Sequence, residues 1–308
     1  MRYVKCIVNP AAGRGGARKA WPGIAKLLKS AGVKYSVDFS QGPGHATQLT
    51  REALKSEFQD IIAVGGDGTV NEVINGFFEG DRPIRMDSRL GIIPRGTGID
   101  LIRTLPVPND PRRAVETILG DKTRPFDVGK LTCLSRDGKP MVRYFMNIAD
   151  LGYGGALIDR VNGFTKFMGS FLSYFVGLLY TLTFYKNEHI RFQIDEEPEE
   201  EGVFSAIIAA NGQYFGGGMW IAPEARADDG LLEFVLIGDV NKLEVLGNLV
   251  RLYRGTLYKH PKVIYRRGKK LRAWSEREVL LDADGELPGK LPATFEILPK
   301  GVNVFSAE

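Results

Sequence analysis

Short apolar runs alternate with amphipathic segments over roughly the first 125 residues of the chain, which is the pattern of strands alternating with helices. The runs typical of strands are YVKCIVN, VKYSVDFS, DIIAVGG and RLGIIP. Helical spacing follows each of them, and Pro22 is expected in the first turn of the first helix or at a kink. Alternation of this kind predicts an α/β domain, a parallel sheet with helices on both faces.

The pattern changes after RPFDVGK, near residue 128. Strand-like runs such as YFMNIADLG, IRFQID, VFSAIIAANG, LLEFVLI and EVLLDADGE then follow one another with turns between them and fewer helices. Consecutive strands joined by turns predict an antiparallel, β-rich, sandwich-like domain. A length of 308 residues also favours two domains. We therefore expect an N-terminal domain over 1–128 and a second domain over 129–294.

Glycine-rich loops follow all four predicted strands of the first domain: NPAAGRGG, FSQGPG, GGDGT and PRGTG. Because ligands of parallel sheets bind beyond the carboxyl ends of the strands, these loops are expected to form one site. Backbone N–H groups at a helix N-terminus suit phosphate. Arg14 offers a counter-charge, and Thr97 and Asp100 add a hydroxyl and a carboxylate.

Asp67 lies inside GGDGT, so its negative charge would repel a phosphate bound by this loop. A Mg²⁺ ion between the carboxylate and nucleotide phosphates would resolve the repulsion. The alternative is a tight turn in which Asp67 caps the following helix. The residues alone leave both interpretations open.

Composition excludes several other classes of protein. Apolar residues make up 44% and charged residues 25%, as in soluble globular proteins. No N-terminal run resembles a signal peptide, and the isolated Cys6 and Cys133 are expected to be free thiols in a reducing cytoplasm. The three histidines form no zinc pattern.

Charge and hydropathy are unevenly distributed around a net charge of +4. Residues 251–272 contain nine lysines or arginines and no acid, which predicts a solvated face and leaves anionic lipid headgroups or nucleic acid as partners. The acidic run DEEPEEE, residues 195–201, is expected to be a hairpin loop.

Residues 167–184 carry no charge, and their glycines and hydroxyls favour a buried or partly exposed helix over membrane docking or spanning.

The loops NPAAG, GGDGTVNEVINGF and GIIPRGTGIDLIRTL, in this order, resemble the diacylglycerol kinase catalytic domain that sphingosine and ceramide kinases share. The resemblance continues through FSQGPGHATQL, FDVGK, ARADDGLLEFVLI and LDADGELPGKLPATFEILPKGVNVF, and so over essentially the whole chain. GGDGT also occurs in phosphofructokinases and NAD kinases, so the family assignment depends on the C-terminal matches. The resemblance implies an NAD-kinase/phosphofructokinase-like first domain, to which residues 295–308 return.

The site residues follow from this resemblance. ATP contacts are implied for the glycine-rich loops and their neighbours: Asn9, Gly13, Ser40, Gly65, Gly66, Asp67, Gly68, Thr69, Asn71, Gly96 and Thr97. The implied catalytic carboxylates are Glu286, Asp67, Asp127, Asp284 and Asp100, with Glu286 as general base and Asp67 organising the catalytic Mg²⁺. A structural cation would bind Asp229 and the backbone oxygens of Arg226 and Leu231.

The implied activity is ATP- and Mg²⁺-dependent phosphorylation of the primary hydroxyl of diacylglycerol or a related lipid alcohol, in the cleft between the domains. Residues 164–185 and strands of the second domain are expected to line the lipid pocket. The expected partners are a lipid substrate and an anionic membrane surface, with no nucleic acid, and a homodimer stays open. We expect a cytoplasmic protein that associates peripherally with the membrane.

One departure from the family pattern keeps two other functions open. Ile99 stands where the family usually has asparagine in GTGND, and Leu101 and Ile102 replace an aromatic residue and alanine. Isoleucine cannot form the hydrogen bonds of an asparagine. The alternatives are a soluble kinase for a dinucleotide or sugar and a non-catalytic lipid or nucleotide sensor. Retention of Asp67, Asp127 and Glu286 argues against the sensor.

Overall fold

The computed structural model describes residues 3–80, 82–96, 98–157 and 184–307. These residues divide into two compact units. Unit 1 runs to Phe126 and resumes at Lys300, and unit 2 comprises Asp127–Pro299. Each unit has its own apolar core.

The bounds of the elements are as follows. Unit 1 contains β1 (Tyr3–Val8), α1 (Ala12–Ser30), β2 (Lys34–Phe39), α2 (His45–Lys55), β3 (Asp60–Gly65), α3 (Asp67–Phe77), β4 (Phe78–Glu79), β5 (Arg82–Pro83), β6 (Arg89–Pro94), α4 (Leu101–Thr104) and α5 (Pro111–Leu119). Next come β7 (Thr123–Leu134), β8 (Pro140–Phe145), β9 (Ile148–Gly152), β10 (Glu188–Ile194), β11 (Glu200–Ala210), β12 (Tyr214–Phe215), β13 (Met219–Trp220), β14 (Leu232–Gly238), α6 (Lys242–Tyr253), a 3₁₀ turn (Leu257–Lys259), β15 (Val263–Gly268), β16 (Lys270–Trp274), β17 (Leu281–Ala283) and β18 (Lys290–Phe305).

The sheet of unit 1 is parallel, in the order β2-β1-β3-β6, and the end of β18 adds to β6 through Asn303 and Val304. Side chains of β1, β3 and β6 project alternately to the two faces of the sheet. They are buried on both faces, because helices cover both. One face packs against α1 and α5 through Ile24, Leu28 and Ile118. The α2–α3 pair also contacts β1 and β3. The predicted α/β domain is confirmed.

Unit 2 contains antiparallel strands in the order β15-β14-β11-β10-β16-β18, and β9 pairs with both β11 and β17. Four phenylalanines, Phe145, Phe192, Phe234 and Phe295, are fully buried in its core. The predicted β-rich second domain is confirmed. The acidic run lies at the β10–β11 turn, as expected, where Asp195 Oδ1 accepts hydrogen bonds from the N–H groups of Lys269 and Lys270.

Two local predictions were wrong. Pro22 lies inside α1, and the break in that helix falls earlier, at residues 13–15, where Gly13, Arg14 and Gly15 adopt left-handed backbone angles. The run YFMNIADLG was predicted as one strand, but it divides into β8 and β9 at Met146 and Asn147. The N–H groups of both residues turn toward the carboxylate of Asp284 instead of a neighbouring strand.

No helix among the described residues is long and apolar enough to cross a membrane. The uncharged run 167–184 lies outside the described residues except for Phe184, so its predicted helix stays a prediction.

Candidate functional site

The carboxyl ends of four parallel strands lie at one edge of unit 1. Val8, the last residue of β1, is in register with Phe39 of β2 and with Val64 of β3. Gly65, which ends β3, is in register with Pro94, which ends β6. The four glycine-rich loops therefore leave the sheet side by side, which is the arrangement that places ligands in parallel sheets.

The loops after β3 and β6 interlock so closely that glycine is required at two positions. A Cβ atom on Gly66 would lie 2.9 Å from Gly96 Cα and 3.0 Å from Gly98 O, and a Cβ atom on Gly96 would overlap Gly66. The backbone N–H of Arg95 donates to Gly65 O at 2.7 Å, and that of Asp67 donates to Gly98 O at 3.3 Å. A side chain on either glycine would force the two loops apart.

Asp67 begins α3, and its carboxylate reaches the neighbouring loop. Asp67 Oδ2 accepts a hydrogen bond from the backbone N–H of Asp100 at 2.8 Å. The Asp100 side chain is buried and lies 3.4 Å from the guanidinium of Arg103. Two carboxylates thus belong to one pair of joined loops, and carboxylate oxygens are the ligands that Mg²⁺ prefers. The donor set fits a magnesium ion.

Asn9 connects the first loop to α3. Its Nδ2 donates to Thr69 Oγ1 at 3.1 Å, and its Oδ1 accepts from the N–H of Ala11 at 3.1 Å.

Ser40 follows β2, and its N–H donates to Val8 O at 2.9 Å. A cavity of about 460 Å³ opens beside these loops, lined by Pro10, Arg18, Phe39, Ser40 and Gln41.

The loop after β1 packs on Arg95, a residue that the sequence analysis missed. Gly13 has a left-handed φ of 59°, and a Cβ atom there would overlap the carbonyl oxygen of Arg95. The Nε atom of Arg95 is buried and has no hydrogen-bond partner. Arg14, the predicted counter-charge, has an exposed side chain. The sequence did contain a signal for Arg95, because in PRGTG it lies directly after the strand and before the glycines of the loop.

Three predicted nucleotide contacts need separate description. Gly68 has open space around the position of a Cβ atom, so a ligand can approach its backbone. Asn71 is buried in α3, where its carbonyl oxygen accepts a hydrogen bond from Asn75 Nδ2 at 2.8 Å. Thr97 lies outside the described residues.

In unit 2, the Asp284 carboxylate is held by backbone N–H groups. Its Oδ1 accepts from Asn147 at 3.1 Å and from Ile148 at 2.9 Å, and its Oδ2 accepts from Met146 at 3.0 Å. Asp284 itself has a left-handed φ of 51°. Three such bonds hold the turn after β17 against the start of β9, which is a positioning role.

Glu286 lies two residues farther along the same turn. Its backbone forms a reciprocal pair of hydrogen bonds with Ala283, at 3.0 and 3.1 Å, and its side chain is half-buried. The turn therefore holds a half-buried carboxylate just after a short strand.

Asp127 is fully buried, and its Oδ2 accepts a hydrogen bond from the N–H of Gly230 at 2.7 Å. Its own N–H donates to Ala227 O at 2.7 Å. Asp127 therefore fastens the loop that carries the predicted structural cation site.

At the predicted cation site, Asp229 has partners within the protein. The carboxylate of Asp229 forms an ion pair with Arg267, and its Oδ1 accepts from the N–H of Leu231 at 3.1 Å. Arg267 Nε also lies 3.3 Å from the buried carboxylate of Glu233. Arg267 thus places a positive charge beside Asp229, at the site where the resemblance implies a cation held by Asp229, Arg226 and Leu231. No group of three metal-binding side chains occurs among the described residues.

Several cations of the basic run 251–272 are likewise paired within unit 2. Lys262 lies 2.9 Å from Glu244, and Arg266 pairs with Glu200. The run spans the end of α6, the 3₁₀ turn, β15 and β16 instead of forming one face. The exposed cations near α6 include Lys242, Arg251 and Arg254.

The sequence analysis missed a buried pair of carboxylates. Asp150 on β9 and Asp282 on β17 are cross-strand partners, and both are more than nine-tenths buried. Burial raises the pKa of each carboxyl group, and the charge of Asp150 raises the pKa of Asp282 further. The sequence feature that could have revealed this pair is an acid within an otherwise apolar strand, Asp150 in NIADLG and Asp282 in LLDADGE.

An apolar cavity of about 130 Å³ lies between the sheet of unit 2 and α6. Its walls include Ile208, Ile221, Leu249 and Leu252, and Asp150 is a polar residue of its lining. α6 has no fully buried residue, and its outer side exposes Leu243, Leu246 and Val250. This helix therefore carries apolar side chains on both its inner and outer sides.

Comparisons with known proteins agree over both units. Residues 3–131 match the model of the diacylglycerol kinase catalytic domain, and residues 148–306 match the YegS C-terminal NAD kinase beta sandwich-like domain. A Staphylococcus haemolyticus protein named diacylglycerol kinase is 33% identical over 98% of this chain and 88% of its own length. One from Staphylococcus carnosus is 31% identical over 99% and 95%.

Solved structures show the same fold. The crystal structure of a diacylglycerol kinase from Bacillus anthracis has a TM-score of 0.70 at 22% identity, covering 99% of this chain and 96% of that one. Yeast NADH kinase complexed with NADH has a TM-score of 0.56 at 11% identity, covering 100% and 84%. The second likeness agrees with the NAD-kinase-like fold expected for the chain.

Proposed function

This chain is a lipid kinase of the diacylglycerol kinase family, and we propose that it transfers the γ-phosphoryl group of ATP to the primary hydroxyl of diacylglycerol or a related lipid alcohol. The observation that carries the proposal is the interlocked pair of loops after β3 and β6, joined through Asp67 Oδ2 and the N–H of Asp100. Phosphoryl transfer depends on positioning and on electrostatic stabilisation, and this edge of unit 1 offers both.

The phosphates of ATP bind over the glycine loops in this proposal. Gly68 lies in the first turn of α3, where N–H groups and the helix dipole attract anions, and open space surrounds it. Arg95 supports the assignment, because its buried, unpartnered Nε is a donor without an acceptor inside the protein. The cavity beside Phe39 and Ser40 is the proposed site of the nucleoside.

Asp67 and Asp100 are the residues that would hold Mg²⁺, which supplies positive charge to the transferring phosphoryl group. Asp67 has a second task, because its hydrogen bond to Asp100 holds the two loops together. The carboxylate therefore links metal binding to the geometry of the phosphate site.

Glu286 is the proposed general base, accepting the proton of the lipid hydroxyl. Asp284 has no chemical step in this proposal, because its two carboxylate oxygens already accept three backbone N–H groups. It holds the turn that aims Glu286. Asp127, bonded to Gly230, is likewise a positioning residue.

The apolar cavity beneath α6 is the proposed site for the lipid tails. Its volume of about 130 Å³ is below the roughly 300–1,000 Å³ of typical ligand pockets, so α6 would move outward to admit a chain. α6 has no fully buried residue, so this movement would break few buried contacts and would cost little free energy.

The outer side of α6 is the proposed membrane contact of a cytoplasmic, peripherally associated protein. Leu243 is 79% exposed, Val250 is 60% exposed, and the same helix presents Lys242 and Arg251. Apolar and basic side chains on one exposed helix suit the surface of an anionic bilayer. Binding to vesicles that ignores both anionic lipid content and a Leu243→Glu substitution would contradict this proposal.

The test of the proposed function is transfer of labelled phosphate from ATP and Mg²⁺ to a panel of dispersed lipids, with a dinucleotide and a sugar as soluble acceptors. Transfer to a lipid alcohol supports the proposal. Transfer only to a dinucleotide or sugar would indicate a soluble-substrate kinase, and ATP binding without transfer to any acceptor would indicate a sensor.

A further inference from the structure

Phe39 is an exposed aromatic residue at the cavity proposed for the nucleoside. It is the last residue of β2, the outermost strand of the unit 1 sheet within the described part of the chain, and it is 40% exposed. Its neighbour Ser40 is buried, and both residues line the cavity of about 460 Å³. The family resemblance implies a nucleotide contact for Ser40 but none for Phe39. Ligands of parallel sheets bind at this edge, so an exposed ring here has a ligand within reach.

A second aromatic residue, Trp21 of α1, supports the Phe39 ring. Tyr35, Val37 and Phe39 occupy alternate positions of β2 and therefore project to one face of the sheet. Tyr35 and Val37 pack against the apolar core beneath α1, and Phe39 continues this row to the end of the strand. The ring of Trp21 stands at 86° to that of Phe39, with the centroids 6.2 Å apart, and at 86° to that of Tyr35, at 5.7 Å. Trp21 thus fixes the orientation of an exposed ring.

The other groups around the cavity suit a flat molecule with polar edges. Arg18 lies one helical turn before Trp21 on α1 and lines the cavity together with Gln41. A glutamine amide offers both a donor and an acceptor, and a guanidinium can stack on a ring or bind oxygen. The volume of about 460 Å³ also lies within the roughly 300–1,000 Å³ of small-molecule sites. The lining therefore matches a nucleobase better than an acyl chain.

We propose that Phe39, supported by Trp21, is a stacking platform for the base of the nucleotide and selects purine over pyrimidine nucleotides. This inference rests on the proposed function and narrows its phosphate donor. Every base has a face that stacks on an aromatic ring, and the two fused rings of a purine cover more of Phe39 than the single ring of a pyrimidine. The Gln41 amide can present either its donor or its acceptor, so stacking separates purines from pyrimidines but does not separate adenine from guanine.

The experiment measures the binding of ATP, GTP, CTP, UTP and inorganic tripolyphosphate, each with Mg²⁺, by titration calorimetry. Tripolyphosphate has no base and therefore reports on the phosphate site alone. Wild type, Phe39→Leu and Phe39→Tyr are compared with Tyr3→Leu. This control removes a ring of similar exposure, 41%, from the first residue of β1, at the opposite end of the sheet. Trp21 fluorescence, taken as the difference between wild type and Trp21→Phe, reports on the platform itself.

Wild type should bind ATP and GTP about tenfold more tightly than CTP and UTP. Phe39→Leu should weaken purine binding about tenfold and leave tripolyphosphate binding unchanged, because the phosphate site is intact. Phe39→Tyr, which keeps a ring, and Tyr3→Leu should both retain the purine preference. ATP should change the fluorescence of Trp21, and tripolyphosphate should not.

Equal binding of the four nucleotides by wild type overturns the inference and leaves the proposed function standing, and this comparison does not depend on the folding of any variant. A purine preference that persists in Phe39→Leu also overturns the role of Phe39. A folded wild-type protein that binds neither ATP nor tripolyphosphate would overturn the proposed nucleotide site together with the inference.

Discussion

The Oδ2 atom of Asp67 lies 2.8 Å from the backbone nitrogen of Asp100 and accepts its hydrogen bond. This bond joins the loop after β3 to the loop after β6 and places two carboxylates at the carboxyl edge of the parallel sheet. The carboxylate in GGDGT therefore bonds to a neighbouring loop, and the N-cap position of α3 is occupied by Gly66.

Asp67→Asn separates the two tasks of this residue. The amide keeps an oxygen that can accept from Asp100, so the free energy of unfolding should change by no more than about 1 kcal/mol. The loss of the negative charge removes the proposed magnesium ligand, and kcat should fall by roughly 10²-fold or more. Steady-state kinetics over a magnesium titration, together with thermal unfolding, measure both effects. Normal kcat in a folded variant would contradict the role.

Gly96→Ala and Gly68→Ala form a matched pair. Alanine at 96 would overlap Gly66, so this variant should lose both stability and nucleotide binding. Alanine at 68 meets nothing within 4 Å and favours the helix, so stability should be kept or rise by up to about 1 kcal/mol. Nucleotide affinity should still fall, since the methyl group occupies the proposed phosphate position. Calorimetric ATP binding by Gly68→Ala at wild-type strength would remove Gly68 from the site.

Arg95→Ala tests the proposed counter-charge for the phosphates. Because the Arg95 Nε has no partner in the protein, its removal should cost little stability. The affinity for ATP should fall about tenfold or more, and the affinity for adenosine should not. Arg14→Ala, at an exposed neighbouring arginine, is the control and should leave ATP binding nearly unchanged. The reverse order of the two variants would restore the original assignment of Arg14.

Asp284→Ala tests positioning against catalysis. The substitution leaves three backbone N–H groups without their acceptor, and each unsatisfied group costs about 1–3 kcal/mol. A large loss of unfolding free energy is therefore expected, whereas Glu286→Gln should fold normally and lose kcat by roughly 10²–10⁴-fold. Chemical denaturation of both variants measures the difference. An Asp284→Ala protein of normal stability without activity would return Asp284 to the catalytic group.

The Asp150 carboxyl group predicts a specific dependence of stability on pH. Burial raises its pKa from 3.8 to about 7, so the folded state retains a proton that the unfolded chain releases. The stabilisation is complete below pH 3.8 and is lost as the pH rises toward about 7. Asp150→Asn cannot release a proton. Its stability relative to wild type should therefore increase between pH 4 and pH 7, as measured by denaturation at each pH. A constant difference over that interval would show that the pKa of Asp150 is not raised.

The sequence predicted the elements of both units because each has a strong local signal. β3 and β6 are apolar after their first residue and end in glycine and proline, β1 is interrupted only by Lys5, and α2, α3 and α5 show helical spacing. Placing the four loops at one edge required only the rule for parallel sheets.

What could not be predicted depends on contacts between distant residues. Asp284 was grouped with Glu286 because they are neighbours in the chain, but its partners lie about 137 positions away, at residues 146–148. Asp150 and Asp282 are ordinary acids until the register of β9 and β17 pairs them. The cation expected at Asp229 could not be tested without knowing that Arg267 reaches the same carboxylate.

Phosphate transfer from labelled ATP to dispersed lipids tests the central claim most directly. The account predicts transfer to a lipid alcohol by wild type, a loss of at least about 10²-fold in Asp67→Asn and in Glu286→Gln, and normal folding of both variants. Phosphorylation of no lipid by a folded wild-type protein that binds ATP, or undiminished transfer by both variants, would contradict it.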